Sequence, residues 1–171
     1  MKKALLSIFL LFSLNSYGAG AKIDIPKYDW SWKGFFGTYD RASAQRGLKV
    51  YREVCAGCHS MNYLSYRNLV DLGFSEEHIK AIAAEHLVLD GPDDEGEMFE
   101  RDGIPSDQFV NPYLNEKAAR AANNGAYPPD LSLIVKARPK GADYIKALLL
   151  GYVDPPEDMK VPKGQHYNKY M

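Results

Sequence analysis

The only two cysteines of the chain stand three residues apart, in the run Cys55-Ala56-Gly57-Cys58-His59. Two thiols at this spacing, followed at once by an imidazole, form the attachment signal of a c-type haem. Each thiol can add across one vinyl group to make a thioether. The adjacent His59 then sits beneath the ring, where an imidazole nitrogen can bind the iron. Three other chemistries share the Cys-x-x-Cys core. A zinc site needs two more Cys or His ligands at a second knuckle, and the remaining His78, His86 and His166 are scattered. A thioredoxin-like pair belongs to a βαβ context, and no βαβ pattern is visible. A disulfide closing so small a loop adds little stability.

The N-terminus supports the haem reading. Lys2 and Lys3 precede an uncharged run from Ala4 to Leu14, and small residues follow at Gly18, Ala19, Gly20 and Ala21. A positive start, an apolar core and a small-residue cleavage zone read as a secretory signal over residues 1–21, with cleavage after Gly18 as the alternative. The apolar run is short for a membrane span, which takes about 20 residues. Covalent haem attachment is extracytoplasmic in bacteria, so export and the motif agree. Removing the signal leaves residues 22–171, enough for one domain with a core around a cofactor. The whole chain carries a net charge of −1. With no basic excess, it is not expected to bind nucleic acid.

Helical periodicity dominates the rest. Gly47, Val50, Tyr51 and Val54 share a face of a helix that starts near Asp40 and runs into the motif, with Gly47 open to close approach by another helix. A second helix is predicted over Ser75–Leu87, capped by Ser75 with Glu76 and Glu77 at its positive end. His86 interrupts its apolar stripe and reads as a packed histidine. A third covers Glu116–Asn124 between Asn115 and Gly125, and a fourth covers Ala142–Leu150, stopped by Gly151. Long prolyl loops join them, as suits a chain wrapped around a large flat cofactor. Trp30, Trp32, Phe35 and Phe36 lie in an aromatic, glycine-rich segment and read as core filling. Asp90–Asp102 is dense in carboxylates; it reads as a solvated loop or as a surface that steers a basic partner.

Beyond the motif, Gly34-Phe35-Phe36-Gly37-Thr38-Tyr39-Asp40, Gln45-Arg46-Gly47-Leu48-Lys49-Val50-Tyr51, Tyr66-Arg67-Asn68-Leu69, Asp90-Gly91-Pro92-Asp93-Asp94-Glu95-Gly96, the stretch Ala118–Ser132 and Gly151-Tyr152-Val153-Asp154-Pro155-Pro156 follow in order. Together with Val54–Met61 they resemble the cytochrome c1 family, the haem subunit of the ubiquinol–cytochrome c reductase (bc1) complex, across nearly all of residues 30–170. The resemblance implies a mainly α, cytochrome c-like haem domain with long loops and one covalent haem c. It implies electron transfer from a Rieske iron–sulfur protein to a soluble cytochrome c, beside cytochrome b, on the periplasmic side of the bacterial inner membrane. Carried over by position, Cys55 and Cys58 are the thioether sites and His59 the proximal iron ligand. Asn123, Arg138 and Tyr144 correspond to polar residues of the haem pocket, and Pro128 and Pro129 to the loop on its proximal side. Arg138 suits a haem propionate through its planar fork, and a carbonyl of the prolyl loop can accept the second N–H of the imidazole. In the family the sixth ligand is a methionine shortly after the segment seen here as Tyr167-Asn168-Lys169-Tyr170, and a membrane anchor follows. Neither is found here. Met61, Met98, Met159 and Met171 are not assigned as the ligand, and the chain reads as an incomplete or truncated copy. A haem enzyme of the peroxidase kind, or a ligand-binding sensor with an open sixth site, is the alternative function.

Overall fold

The structure, a computed structural model, describes residues 23–171. The secretory signal read at residues 1–21 lies outside them. The fold is mainly α, with five helices and one small hairpin among the described residues. Helix α1 (Arg41–Glu53) opens at Asp40, whose side chain accepts from Ser43 N. It leads directly into a 3₁₀ turn at Cys55–Gly57. A longer 3₁₀ helix, Tyr66–Leu72, starts where Ser65 N donates to Asn68 Oδ1 and stops at Gly73, whose positive φ of 86° lets the chain turn back. Helix α2 (Glu76–Ala84) carries the expected Ser75 cap.

The main core lies between these elements. Tyr51 of α1, Tyr66 and Leu69 of the 3₁₀ helix, Ile79, Ile82 and Ala83 of α2, and Phe109 bury one another. Tyr66 is the centre: it is 1% exposed, stacks on Phe109 at 4.6 Å between ring centroids, and stacks on His86 at 5.9 Å. His86 is thus a packed histidine.

The second helix is shorter than its apolar stripe suggested. It ends at Ala84, and Leu87–Asp90 instead forms strand β1, antiparallel to β2 (Phe99–Asp102), with Leu87 facing Asp102 and Asp90 facing Phe99. His86 leaves the helix to stack on Tyr66, and its carbonyl accepts from Gly103 N at 2.9 Å, closing the ladder. The acidic segment is therefore a hairpin with a solvated tip rather than a loop throughout.

The remaining elements are α3 (Glu116–Ala122), α4 (Ile134–Ala137) and α5 (Ala142–Leu150). Asn115 caps α3 through Ala118 N, and the turn beyond it takes positive φ at Asn124 and Gly125. Asn168, 4% exposed, donates to Leu148 O at 2.7 Å, and Lys169 N donates to Gly151 O. This staples the C-terminal segment to the end of α5. A side chain at Gly151 would meet Asn168, so glycine is needed for the close approach.

Two expectations about packing are overturned. Phe35 and Phe36 are 95% and 89% exposed and touch each other edge to face, so they are not core. Their loop is held instead by its other aromatics: Trp30 stacks on Trp32, which stacks on Tyr39. Trp30 Nε1 also donates to Asp143 Oδ1 at 2.6 Å, docking the loop on α5 and holding that carboxyl below the usual carboxylate range. Gly47 meets no close neighbour: a Cβ built there would find open space. It borders a cleft of about 420 Å³ with Leu48, Met61 and Leu72.

Candidate haem-attachment site

Helix α1 delivers the cysteines. Tyr51 is buried on its core face, and four residues later the chain tightens into the 3₁₀ turn that carries Cys55. Cys58 N and His59 N both donate to Cys55 O, at 3.1 and 2.8 Å, so one carbonyl fixes the relative placement of all three motif residues. Both thiols are free; Cys58 is exposed and Cys55 half-buried.

His59 is held from two sides. Tyr51 Oη donates to His59 O at 3.2 Å, and His59 Nδ1 lies 2.8 Å from Pro129 O. A carbonyl only accepts, so Nδ1 must carry the hydrogen, and in the neutral ring Nε2 then keeps its lone pair. The ring is oriented by one nitrogen and open for a metal at the other. Burial pushes the Tyr51 hydroxyl up to about 12, with the carboxylate of Asp130 adding to the shift, so it stays a donor at any working pH. Among the described residues no cluster of three or more His, Cys, Asp or Glu side chains could hold a metal ion by itself. The donor set of two free thiols beside one singly committed imidazole suits a covalently attached haem better than a protein-only metal site.

Residues 30–171 match the Cytochrome C1 family. The chain belongs to the cytochrome c1 family. It is 56% identical over 149 residues to a protein of Arabidopsis thaliana named cytochrome c1 1, heme protein, mitochondrial, covering 87% of this chain and 48% of that one. It is 49% identical over 154 residues to cytochrome c1 of Rhodospirillum rubrum, covering 89% and 57%. It is 53% identical over 147 residues to the cytochrome b-c1 complex catalytic subunit of Candida albicans, covering 85% and 51%. The chain thus spans about half the length of the curated relatives it matches.

The other residues singled out from the sequence are placed unevenly. Asn123 is brought to the motif indirectly: its Nδ2 donates to Tyr113 Oη at 3.1 Å, and Tyr113 Oη lies 3.8 Å from Cys58 Sγ. Arg138 is exposed at the C-terminal end of α4, and Tyr144 is half-buried on α5. Among the described residues no hydrogen bond joins either to Cys55, Cys58 or His59. Met98, Met159 and Met171 are exposed, while Met61 packs against the core.

Sequence reasoning missed Tyr113 and Asp130. Tyr113 carried no signal, being a lone aromatic in a polar loop. Asp130 carried one: an Asp two residues before Ser132 invites a side-chain turn, and Asp130 Oδ1 accepts from Ser132 N at 2.8 Å.

Proposed function

We propose that residues 22–171 form a haem domain that carries single electrons, exported by the signal at residues 1–21 to the periplasmic side of the bacterial inner membrane. The observation that carries this reading is the committed His59: Nδ1 spent on Pro129 O, Nε2 open, and two free thiols in the adjoining turn. When bound, one covalent haem c supplies the one-electron couple. The chain's own residues do the rest. Cys55 and Cys58 would tether the group and His59 would ligate its iron, with Pro129 O keeping the imidazole in one tautomer and one orientation. Asn123 and Tyr144 would line the haem pocket, and Arg138 would pair a propionate through its fork. Its exposed position leaves the guanidinium free to do so. No proton has to move at these groups for an electron to pass.

Relatives named as cytochrome c1 and as a cytochrome b-c1 complex subunit support a place in that complex beside cytochrome b. In this reading the electron arrives from a Rieske iron–sulfur protein and leaves to a soluble cytochrome c. The test is an optical spectrum of the exported, reduced chain with and without carbon monoxide, followed by mixing with an oxidised soluble cytochrome c. A covalently bound haem that reduces the soluble partner supports the reading. Peroxide turnover by the same preparation, without transfer to the partner, would replace it with a haem enzyme.

A further inference from the structure

The prolyl loop facing His59 has no regular secondary structure, and Pro128 and Pro129 have no N–H to tie it down. Its position must come from elsewhere. Asp130 Oδ2 accepts from Asn62 N at 2.7 Å and from Ser60 Oγ at 2.9 Å, while Oδ1 accepts from Ser132 N at 2.8 Å. Around it, Leu131 N donates to Ser60 O at 2.9 Å and Tyr63 N donates to Ser132 Oγ at 3.0 Å. Apart from the Asp130–Ser132 bond, which folds the prolyl segment on itself, these are rungs between two segments running side by side, residues 59–63 and 129–132. The His59–Pro129 contact is the end rung of the same ladder.

We propose that Asp130 is a positioning residue for the iron ligand: its carboxylate fastens the prolyl loop to the residues just after His59 and so holds Pro129 O against His59 Nδ1. The proposal rests on the reading of His59 as the haem ligand only for its consequence, not for its geometry. The carboxylate suits the task because it only accepts, and every group facing it is a donor. Burial raises its pKa, but the bonds from Asn62, Ser132 and Ser60 outweigh that and leave it lowered, so the clamp is ionised at neutral pH. Hydrogen bonds to a charged acceptor are roughly twice as strong as neutral ones, and removing one leaves a backbone amide without its partner. A slack loop would free the imidazole to exchange tautomers and rotate, which weakens it as a donor to a metal.

Asp130→Asn keeps the shape but turns an N–H₂ toward groups that are themselves donors. The test reads the His59 tautomer by nitrogen NMR in the full chain without haem, above the ordinary histidine range of about 6.5. In the wild type the neutral ring should be almost wholly the Nδ1–H form. In Asp130→Asn the Nε2–H form should rise several-fold, with hydrogen exchange at the Asn62 amide faster by about an order of magnitude. Ser60→Ala and Ser132→Ala, which keep the charge but each remove a rung, should shift the same signal by less. A folded Asp130→Asn with an unchanged tautomer overturns the proposal. If that variant does not fold, an unchanged tautomer in both serine variants overturns it. Haem uptake is scored separately. A wild type that takes no haem but shows the tautomer shift on mutation keeps Asp130 as the clamp and removes His59 as the ligand.

Discussion

Asp130 accepts three hydrogen bonds inside the ladder that faces His59, whereas Asp94 and Glu95 stand exposed at the tip of the β1–β2 hairpin. Between these extremes lies Arg101, which bridges Asp90 on the facing strand and Asp107 beyond it, with 2.7 and 3.0 Å bonds to the latter. The three environments sort the carboxylates by task. Asp130, bonded to amides and a hydroxyl of two segments, ties the prolyl loop to the residues after His59. Those with a shared guanidinium hold the hairpin together. Asp94 and Glu95, exposed at the tip beside the turn that Asp93 holds, remain available to another molecule. Charge density along the sequence does not distinguish these roles; the partners across the fold do.

The largest break comes from removing what both regions rest on. Tyr66 stacks on Phe109 and on His86 at the root of the hairpin, and Tyr66 N donates to Asp107 O. Tyr66→Ala should cost about 3–5 kcal/mol, as large aromatic truncations in cores do. Denaturant unfolding should show both regions lost together; a cost below about 1 kcal/mol would mean that the core is not shared.

A smaller effect separates the regions by pH. Hydrogen bonds from Arg101 hold the carboxyls of Asp107 and Asp90 below the usual carboxylate range. A depressed folded-state pKa gives stability that is complete above the unfolded value of about 4 and is lost as pH falls through the folded one. Amide exchange at Val88 and Arg101 should therefore quicken below about pH 4. Asp107→Asn should quicken it at neutral pH and flatten the acid dependence, while the His59 ladder is unaffected. An acid dependence of equal size in the variant would contradict the bridge.

The smallest effect concerns the tip. Replacing Asp93, Asp94 and Glu95 with their amides should leave stability within about 0.5 kcal/mol, since Asn at 93 keeps an oxygen to accept from the amides of Glu95 and Glu97. Reduction of a basic soluble cytochrome c should nevertheless slow at low ionic strength, and the difference should vanish as salt is raised. An unchanged rate at low salt would remove the docking role.

These contrasts also explain what was legible in the sequence. The starts of α1, α2 and α3 follow from Asp40, Ser75 and Asn115, each bonded three residues ahead. The Cys55–His59 motif could be read because its three proposed working residues fall within five consecutive positions. The hairpin was not: Phe99-Glu100-Arg101-Asp102 shows no strand alternation, and its pairing depends on Arg101 reaching Asp90 and Asp107. Asp130 and Tyr113 were not assigned, because the groups they serve are 70 and 55 residues away. Phe35 and Phe36 were misread for the opposite reason. Their composition says core, but the loop is held by Trp30, Trp32 and Tyr39 and leaves both rings outside.

The account stands on the claim that Cys55 and Cys58 bind one haem through thioethers. The direct measurement is the intact mass of the chain, expressed with export and haem-attachment machinery and unfolded in acid before analysis. The expected result is one haem mass retained after denaturation, lost completely from the double variant Cys55→Ala, Cys58→Ala. A chain that folds, is exported, and still emerges at its bare polypeptide mass would contradict it.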